Sequence, residues 1–438
     1  MKISESLQNQ TWNLPQKLAY RFCFVFFFLF AAPHSWLAET IPGYEIIGNF
    51  FSEIDSIFVN FFNKYFLHIK DELVPLNGSG DTSYGWAQFF TYLILSFTTA
   101  LIWTLIDSKS KNNAKILFFI QNLLRYYLGL VAFMYGTIKI FVQQMGFPTL
   151  SQLATPLGDF LPMRFSWLFV GYSAPYQIYS GVAEVIVGLL LFYRKTVLAG
   201  ILMGIAVFVN VLMLNLSYDI PVKLFSFQVL CGFIFLAFLS CGRIIAFFFT
   251  NDFIKPDTNW DLFLEKKWEK WLRIFAKTTY LFLFFILALY KGYSWNQNTD
   301  PVLEPSTFHQ SVYQVVDYER SNKSGLVSQP DSLVWKDWVF DSKSYGSLNC
   351  QDTALFRIRY HRGFYNCKID TIKQTIAFRR MSADTIPKFT LNYYISSKDE
   401  LKLWGKIKDD SIKIKLKNTH RHFQLAEKQF HWLSESNR

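Results

Sequence analysis

Residues that bind redox metals are scarce in this 438-residue sequence, which has five cysteines and seven histidines and no Cys-x-x-Cys or Cys-x-x-Cys-His motif. Zinc, iron–sulfur and covalent haem sites need such residues in clusters. Four C-terminal histidines also lack a Ser or Cys motif that could make a nucleophile: His361, His420, His422 and His431. The sequence therefore predicts no metal site and gives no support for covalent haem or for an enzyme acting through the C-terminal part.

Charged residues are also few, at 18%, whereas 51% of the residues are hydrophobic and 19% aromatic, with 47 Phe. This composition is typical of a polytopic membrane protein. A net charge of +11 is compatible with nucleic-acid binding, but Lys and Arg concentrate in short segments beside apolar runs and in the last third. Membrane topology explains much of that distribution better, so we expect the lipid bilayer as a partner and no nucleic acid.

Seven stretches approach the roughly 20 apolar residues that a membrane-spanning helix needs. They are residues 18–37, 86–106, 116–142, 175–193, 196–216, 224–249 and 272–290. Every second connection is basic, and acidic residues concentrate on the other side. The positive-inside rule then places the N-terminus inside and the C-terminus outside, which in a bacterial inner membrane would be the cytoplasm and the periplasm. Alternatively, the first stretch is a signal peptide cleaved near residue 38, which leaves the exit side unchanged.

Between the first two predicted spans, residues 50–69 carry Phe, Ile and Tyr at helical spacing. Glu53, Lys64 and Lys70 are among the polar residues that fall largely on the opposite side. This pattern predicts an amphipathic helix at the periplasmic interface or against the bundle. A helix packed as ordinary protein core would show the same pattern.

From about Val302 the composition changes and period-two runs appear, which predicts a soluble strand-rich domain. The runs are FRIRYHR (356–362), KFTLNYYIS (388–396), LKLWGKI (401–407) and SIKIKLK (411–417). Several short strands separated by turns suggest a small sandwich or barrel. Cys350 and Cys367 both fall in this domain, where an oxidising compartment would permit a disulfide between them. The sequence leaves open whether that disulfide forms.

Two ionisable residues interrupt apolar spans. Arg125 lies ten residues beyond Lys115, and Glu184 lies ten residues before Arg194. At about 1.5 Å rise per residue, both lie roughly 15 Å from the cytoplasmic surface and share a depth. Because an unpaired charge there costs roughly 2.5–3.5 kcal/mol, we predict an ion pair between Arg125 and Glu184. The pair either fixes helix register or belongs to a ligand or proton site.

A second polar group is predicted near the periplasmic surface. Lys139 follows Arg125 by 14 residues and returns to nearly the same helix face, about 21 Å higher. Other residues expected near that level are Asn210, Asn215, Asp219, Lys223 and Arg164. Together they could rim a cavity that opens outward. Alternatively, these residues form no cavity: the lysine and arginine side chains extend separately to the membrane interface, and the remaining polar residues belong to a capped turn.

Four motifs between about residues 121 and 238 carry a family resemblance. They are RYYLGLVAFMYGTIKIF, QQMGFPT, GVAEVIVGLLLFYRK and NLSYDIPVK, in this order. The stretch resembles the DoxX-like family of small four-helix membrane modules. The resemblance puts Arg125, Tyr135, Gly136 and Lys139 on the first helix of the module, Gly181 and Glu184 on the second, and Asp219 and Lys223 between the third and fourth.

The longer arrangement, with extra N-terminal helices and a strand-rich tail, looks like larger bacterial DoxX-like proteins. Some relatives resemble subunits of a thiosulfate:quinone oxidoreductase, and others are linked to redox homeostasis at the membrane. The resemblance therefore implies a redox role, without catalytic residues that can be carried over. Fold resemblance alone does not define a site.

These features predict a membrane all-α helical bundle of about seven transmembrane helices, including the DoxX-like four-helix module, plus a small C-terminal all-β domain. Residues 1–115 would hold two transmembrane helices and the amphipathic helix, and 116–250 the module. Residues 251–291 would hold a basic cytoplasmic connection and the seventh span. Residues 292–438 would form the soluble periplasmic domain.

Three functions are compatible with this architecture. The preferred one is a redox accessory whose bundle binds a quinone or other lipid-soluble molecule beside Arg125, Glu184 and Tyr135, with a membrane or periplasmic protein partner. A transport module and a non-catalytic scaffold that presents the β domain are the alternatives. The candidate ligand or proton site comprises Arg125, Tyr135, Lys139, Glu184, Asn210, Asp219 and Lys223.

Overall fold

The computed structural model describes residues 12–32, 44–107, 114–250, 266–299, 310–322, 325–326, 330–342, 344–427 and 432–433. The chain divides into two compact units. The first comprises Met1–Met145 and Ser173–Thr299, and the second comprises Gly146–Tyr172 and Asp300–Arg438. Residues 146–172, which lie inside the predicted 116–250 module, thus belong to the second unit. The proposed cleavage point near residue 38 lies outside the described residues.

Helices make up the described part of the first unit. Before the break at Met145 they are α1 (Leu14–Phe30), α2 (Tyr44–Phe62), α3 (Ser83–Ile106) and α4 (Ala114–Ile140). Two short helices of the second unit follow in the chain, α5 (Leu150–Leu153) and α6 (Pro162–Tyr172). The first unit then continues with α7 (Ala174–Phe192), α8 (Val197–Ser217), α9 (Lys223–Leu239), α10 (Cys241–Ile245), α11 (Lys267–Leu281) and α12 (Leu287–Thr299). Single π turns extend α2 and α10 and join α11 to α12.

Four of these helices, α3, α4, α7 and α8, are long and apolar enough to cross a membrane. Helices α9 and α10 with its π turn meet the same criteria as a pair, but they are bent by 74° relative to each other. The predicted first span corresponds to α1, which has 17 residues, and the seventh to α11 and α12, which a π turn separates. The structure therefore confirms a helical protein with membrane-type spans, whereas a total of seven stays a prediction.

Helix α4 is the central helix of the first unit. Within its apolar stretch, 72% of the residues are buried, against 28% in α3 and in α8. It packs against α7 through two pairs of glycines, Gly129 with Gly188 and Gly136 with Gly181. A Cβ atom at Gly136 would lie 2.7 Å from the carbonyl oxygen of Gly181, so the two backbones are in direct contact. These pairs run in opposite sequence directions, so α4 and α7 are antiparallel.

The second unit is built around a closed antiparallel barrel. Its strands are β1 (Val312–Asn322), β2 (Gly325–Leu326), β3 (Asp337–Phe340), β4 (Tyr345–Leu348), β5 (Arg357–Arg359), β6 (Arg362–Asp370), β7 (Thr375–Arg379), β8 (Phe389–Ser397), β9 (Glu400–Ile407) and β10 (Asp410–Asn418). Eight of them pair in the order β1-β3-β4-β6-β7-β8-β9-β10, and β10 pairs back with β1. Strands β2 and β5 pair only with β1 and β6. The predicted small all-β domain is thus confirmed, as a barrel.

Alternating side chains fill the barrel. In β10, Ile412, Ile414 and Leu416 are buried, as the period-two pattern predicts. Trp338 is fully buried, and its indole Nε1 donates a hydrogen bond to the Tyr365 hydroxyl at 2.6 Å. That hydroxyl donates in turn to the carbonyl oxygen of Val339 at 3.0 Å. The polar atoms of this aromatic core are therefore satisfied.

Three of the four predicted strand runs are strands β8, β9 and β10, and one prediction was wrong in detail. The run FRIRYHR contains β5, a two-residue turn and the first residue of β6. Tyr360 and His361 form that turn with φ values of 54° and 55°. Positive φ at both central positions is the geometry of a type I′ hairpin turn, which favours Gly and Asn. Because this turn contains neither residue, the sequence pattern did not indicate it.

Residues 146–172 attach to the barrel through specific polar contacts. The Ser151 backbone N–H donates to Asp341 at 2.8 Å, the Ser151 hydroxyl also donates to Asp341, and the Ser347 hydroxyl donates to Ser151 at 2.6 Å. Burial raises the pKa of the Asp341 carboxyl above its ordinary value, and the hydrogen bonds from Ser151 offset part of that effect. Arg164 donates from Nε to the Tyr360 hydroxyl at 2.8 Å. The segment is therefore an integral part of the second unit.

The disulfide between Cys350 and Cys367 is absent, because both thiols are free. Strands β4 and β6 pair Leu348 with Gly363, so Cys350 and Cys367 lie on opposite sides of that pair. They are offset by about six residues, or roughly 20 Å along the strands. A disulfide needs Cα atoms within about 7 Å. The pair therefore cannot bond without rearranging the sheet.

The two barrel thiols are expected to be inert in the folded protein. Burial raises the pKa of Cys350 to about 11 and that of Cys367 to about 12. Because the thiolate is the nucleophile, maleimide at pH 8 should label both at least about 100-fold more slowly than in SDS-unfolded protein. Mass spectrometry of labelled peptides measures the rates. Rapid labelling before unfolding, or a disulfide-linked peptide pair without reductant, would contradict this account.

Candidate functional site

Helix α2 turns a narrow stripe that includes Asp55 and Val59 towards the protein, and it leaves exposed both its apolar side and the polar residues Glu53 and Asn60. Phe50, Ile57 and Phe61 are 59%, 69% and 50% exposed, whereas Val59 and Asn63 on the other side are 0% and 6% exposed. The predicted amphipathic helix is therefore present, but its broad apolar face is not a packing face. Apolar side chains turned outward are favourable where the surroundings are lipid.

Asp55 lies on the inward side of α2 and is the centre of a hydrogen-bonded cluster with α3. Its carboxyl accepts hydrogen bonds from the Tyr92 hydroxyl at 2.7 Å, the Tyr84 hydroxyl at 3.0 Å and the Gln88 amide at 2.5 Å. The three donors are spaced four residues apart on α3, which places them on one face of that helix. Gln88 also donates to the Tyr92 hydroxyl at 3.3 Å. The four-residue spacing on α3 thus places three donors around one carboxyl group.

A cavity of about 760 Å³ opens beside this cluster. Asp55, Tyr84, Gln88 and Tyr92 supply polar atoms to its wall, together with Gln228 from α9. The larger apolar side chains of its wall are Phe30, Leu76, Tyr127, Leu224 and Phe225. Apolar walls with a few converging polar groups are typical of small-molecule sites of this size. We call this the Asp55 cavity.

The loop before α3 completes the wall of the Asp55 cavity by capping α9. Asp81 accepts hydrogen bonds from the backbone N–H groups of Lys223 at 3.0 Å and Leu224 at 2.9 Å. Gly80 donates its N–H to the carbonyl oxygen of Pro221 at 2.8 Å. A carboxylate at a helix N-terminus satisfies free N–H groups and interacts favourably with the helix dipole. This contact holds Leu224 at the cavity.

The predicted ion pair between Arg125 and Glu184 was wrong. Glu184 pairs with Lys139, and the two side chains are 3% and 11% exposed. Arg125 instead donates to the carbonyl oxygens of Leu191 and, at 2.7 Å, Phe192, near the C-terminus of α7. The glycine pairs explain the difference: Gly129 lies opposite Gly188, so Arg125 lies opposite Phe192, eight residues or about 12 Å from Glu184.

The Lys139–Glu184 pair is deeply buried beside the Gly136–Gly181 contact. Its second carboxylate oxygen, Glu184 Oε2, is buried and has no hydrogen-bond partner among the residues that the structure describes. The Asp55 cavity is not lined by either residue of the pair. The geometry thus favours a structural role for this pair within the α4–α7 interface.

The other predicted site residues are dispersed. Tyr135 packs on Phe225, a wall residue of the Asp55 cavity, with ring centroids 6.1 Å apart. Asn210 is exposed on α8, and Asp219 is an exposed turn residue with φ 51° that pairs with Lys223 at 2.8 Å. Arg164 belongs to the second unit. The predicted polar rim is therefore not assembled as one group within the first unit.

Sequence reasoning missed the Asp55 cluster because it grouped the polar side of the helix around residues such as Glu53 and Lys64 and gave Asp55 no role. A signal for the correct side was present. Ser52, Asp55, Ser56, Val59 and Asn63 recur every three to four residues and form a narrow stripe with four polar members. Polar residues in such a stripe on an otherwise apolar helix indicate the inward side when lipid surrounds the helix.

No family model and no solved structure matches this chain. A 99-residue stretch is 28% identical to the uncharacterized protein YwoB of Bacillus subtilis (strain 168). That stretch is 23% of this chain and 62% of YwoB, so the match spans less than two thirds of the relative. The similarity to the DoxX-like family stays a prediction.

Proposed function

We propose that the helical unit binds a lipid-soluble molecule with a hydrogen-bonding head group, of the quinone or quinol class, in the Asp55 cavity. The observation that carries the proposal is the convergence of Asp55, Tyr84, Gln88 and Tyr92 on a cavity of about 760 Å³ with apolar walls. Apolar walls suit a ring and an isoprenoid-like tail. The polar cluster supplies orientation and specificity.

The cluster offers complementary hydrogen bonds to both redox forms of such a ligand. The Asp55 carboxylate can accept a hydrogen bond from a quinol hydroxyl in exchange for one of its three present donors. The phenols and the Gln88 amide can donate to a quinone carbonyl. Exchange of partners keeps these polar groups hydrogen-bonded, so binding carries no penalty for an unpaired polar group. A role as a redox accessory further requires a partner enzyme that supplies or removes the electrons.

The proposed location is a bacterial inner membrane, with the N-terminus in the cytoplasm and the barrel in the periplasm. The alternation of basic connections supports this orientation. Arg21 and Asp107 agree with the order of the spans, because their 2.7 Å ion pair joins the N-terminal half of α1 to the residue after α3. Helices α1 and α3 are therefore antiparallel neighbours, as two consecutive spans of the predicted topology would be.

The expected result of replacing Asp55 with Asn is a rise of about tenfold or more in the Kd for a short-tailed quinol, because a charge-assisted hydrogen bond is lost. Calorimetric titration of the full-length protein in mild detergent measures this Kd. Solvent extraction of the same wild-type sample should recover about one lipid-soluble molecule per chain. The matched control is Glu53→Gln, which makes the same chemical change on the exposed side of α2.

Two outcomes would reject the proposed function. One is a wild-type protein that carries no lipid-soluble molecule and fails to bind the quinol or quinone probe. The other is an equal loss of affinity in Asp55→Asn and Glu53→Gln, which would point to a general charge effect. Circular dichroism melts of both variants show whether the helical unit remains folded.

A second candidate function is a scaffold that presents the barrel to a protein partner. The closure of β10 on β1 favours it, because a closed barrel is a self-contained unit with its own core. Cross-linking in the native membrane distinguishes the two candidates. A scaffold retains its cross-linked partner in the Asp55→Asn variant, whereas a partner that depends on the bound quinol is lost with it.

A further inference from the structure

The barrel unit carries a second cavity, of about 240 Å³, whose wall is rich in arginine. Arg357 and Arg359 contribute from β5, and Arg380 from the residue after β7. No Asp or Glu is part of this wall as the structure describes it. Its other polar members include Gln152, Tyr345 and Asn366. We call this the arginine pocket.

Strand geometry explains why two of the arginines point the same way. Arg357 and Arg359 are separated by one residue on β5, so their side chains share a face about 7 Å apart. Ile358, between them, packs on the other side against the barrel core. The β5–β6 register places Arg357 opposite Phe364, which also lines the arginine pocket. The sheet thus directs two like charges to one concave surface.

Arg357, Arg359 and Arg380 are exposed and form no ion pair in the described part of the chain, whereas the neighbouring Arg362 pairs with Asp337 at 2.6 Å. Arg359 instead lies over the Tyr360 ring at 4.9 Å. Clustered cations without a carboxylate repel one another and are stabilised by a bound anion.

Backbone strain at the same place is an independent observation. Tyr360, which lines the arginine pocket, and His361 both have positive φ without being Gly, Asn or Asp. Such residues cost free energy and persist where the surrounding structure holds them in place. Tyr360 is also held from outside, by the hydrogen bond from Arg164 and by ring packing on Phe160 at 5.1 Å. The strained turn therefore presents a fixed wall.

We propose that the arginine pocket binds a phosphate group that carries a short substituent. Guanidinium groups bind phosphate oxygens through paired hydrogen bonds. Three guanidinium groups are balanced better by a phosphate dianion than by a carboxylate ligand, which carries a single negative charge. The amides of Gln152 and Asn366 add neutral donors. A volume of about 240 Å³ suits a phosphorylated small molecule or a phospholipid head group. Both sources share the chemistry that the site recognises.

The test uses the full-length protein in an uncharged detergent and three probes. Inorganic phosphate and glycerol 3-phosphate are titrated by calorimetry, and dihexanoyl phosphatidic acid by native mass spectrometry. At least one probe should bind saturably. Replacing Arg357, Arg359 and Arg380 together with Gln should raise its Kd by at least about 100-fold, because each charge-assisted pair contributes about tenfold or more.

The matched control replaces three exposed lysines of the barrel with Gln: Lys402, Lys406 and Lys417. It removes the same charge elsewhere on the barrel and should leave Kd within about twofold, since distant exposed charges are screened. Tighter binding of the two soluble probes identifies a free phosphorylated ligand, and binding of the lipid probe alone identifies a head group. Absence of binding by every probe, or equal losses in both triple variants, would overturn the proposal.

A single substitution distinguishes a loss of binding from a loss of folding. Arg380 follows β7 and makes no ladder hydrogen bond within the described strands, so Arg380→Gln should leave the near-ultraviolet signal of the Trp338 core unchanged. Its Kd for the bound probe should rise about tenfold. An unchanged Kd in this folded variant would also count against the arginine pocket.

Discussion

Replacing Glu184 with Gln should lower the free energy of unfolding of the helical unit by about 3–5 kcal/mol. The substitution keeps the shape of the side chain but leaves Lys139 as a buried cation without its carboxylate partner. Lys139 is 11% exposed, so water cannot easily replace that partner. Reversible unfolding by SDS in mixed micelles, followed by circular dichroism, measures the change.

A double-mutant cycle identifies the partner of Glu184. If Lys139 is the partner, Lys139→Met combined with Glu184→Gln should be less destabilised than the sum of the single changes predicts, because neither charge remains. Arg125→Gln combined with Glu184→Gln should instead be additive, since Arg125 donates to the carbonyl oxygens of Leu191 and Phe192. Coupling of Glu184 to Arg125, with additivity towards Lys139, would contradict the structure.

The sequence predicted which segments of the first unit are helices but not how they align. Apolar length identifies α3, α4, α7 and α8, because a bilayer sets the number of residues needed to cross it. The Arg125–Glu184 prediction assumed that α4 and α7 reach the same surface at equivalent residues. Helix α4 has 27 residues and α7 has 19, so counting from flanking basic residues gives the wrong register.

The information that sets the register was present in the glycines. Gly129 and Gly136 on α4, and Gly181 and Gly188 on α7, are each seven residues apart. Because the two spacings are equal, only one antiparallel register places both glycines of α4 opposite both glycines of α7. That register brings the long Lys139 side chain to Glu184. The sequence alone, however, does not say which helices face each other, so the glycine spacing could not select this register.

The Asp55 cavity shows a different limit of sequence reasoning. Periodicity identified the broad apolar side of α2 but not the narrow stripe at Asp55 that meets protein, because Glu53 and Asn60 lie outside that stripe and are exposed. In water the apolar side would turn inward. The exposure of Phe50 and Ile57 and the inward position of Asp55 follow the membrane rule instead. Applying that rule to α2 requires knowing that the helix is surrounded by lipid.

The barrel was predictable as strands but not as a closed structure. Alternation identified β8, β9 and β10, whose buried residues alternate with more exposed ones, which in β10 are Lys413, Lys415 and Lys417. Closure depends on the pairing of β1 with β10 across about 100 residues of sequence, which local patterns do not encode. The type I′ turn at Tyr360 and His361 was also hidden, because its residues are not those that favour positive φ.

Replacing Gly181 with Ala should destabilise the helical unit, although the same change usually stabilises an isolated helix by about 0.5–1 kcal/mol. The new Cβ atom would lie 2.6 Å from the carbonyl oxygen of Gly136 and 2.9 Å from the backbone N of Ile140. Backbone atoms of a packed helix cannot move aside cheaply, so α4 and α7 must separate. Overpacking of this kind costs about 1–3 kcal/mol, and Gly181→Val should cost more.

The separation of α4 from α7 should also weaken the Lys139–Glu184 pair, because a Cβ at Gly181 would lie 2.8 Å from the Cβ of Lys139. Gly181→Ala and Glu184→Gln should therefore be less destabilising together than the sum of their separate effects, since both disturb one contact. Gly242→Ala is the matched control, because no atom lies within 4 Å of its added Cβ. SDS unfolding of the three variants measures these effects. An increase in stability for Gly181→Ala equal to that of Gly242→Ala would show that α4 and α7 are not held together at these glycines.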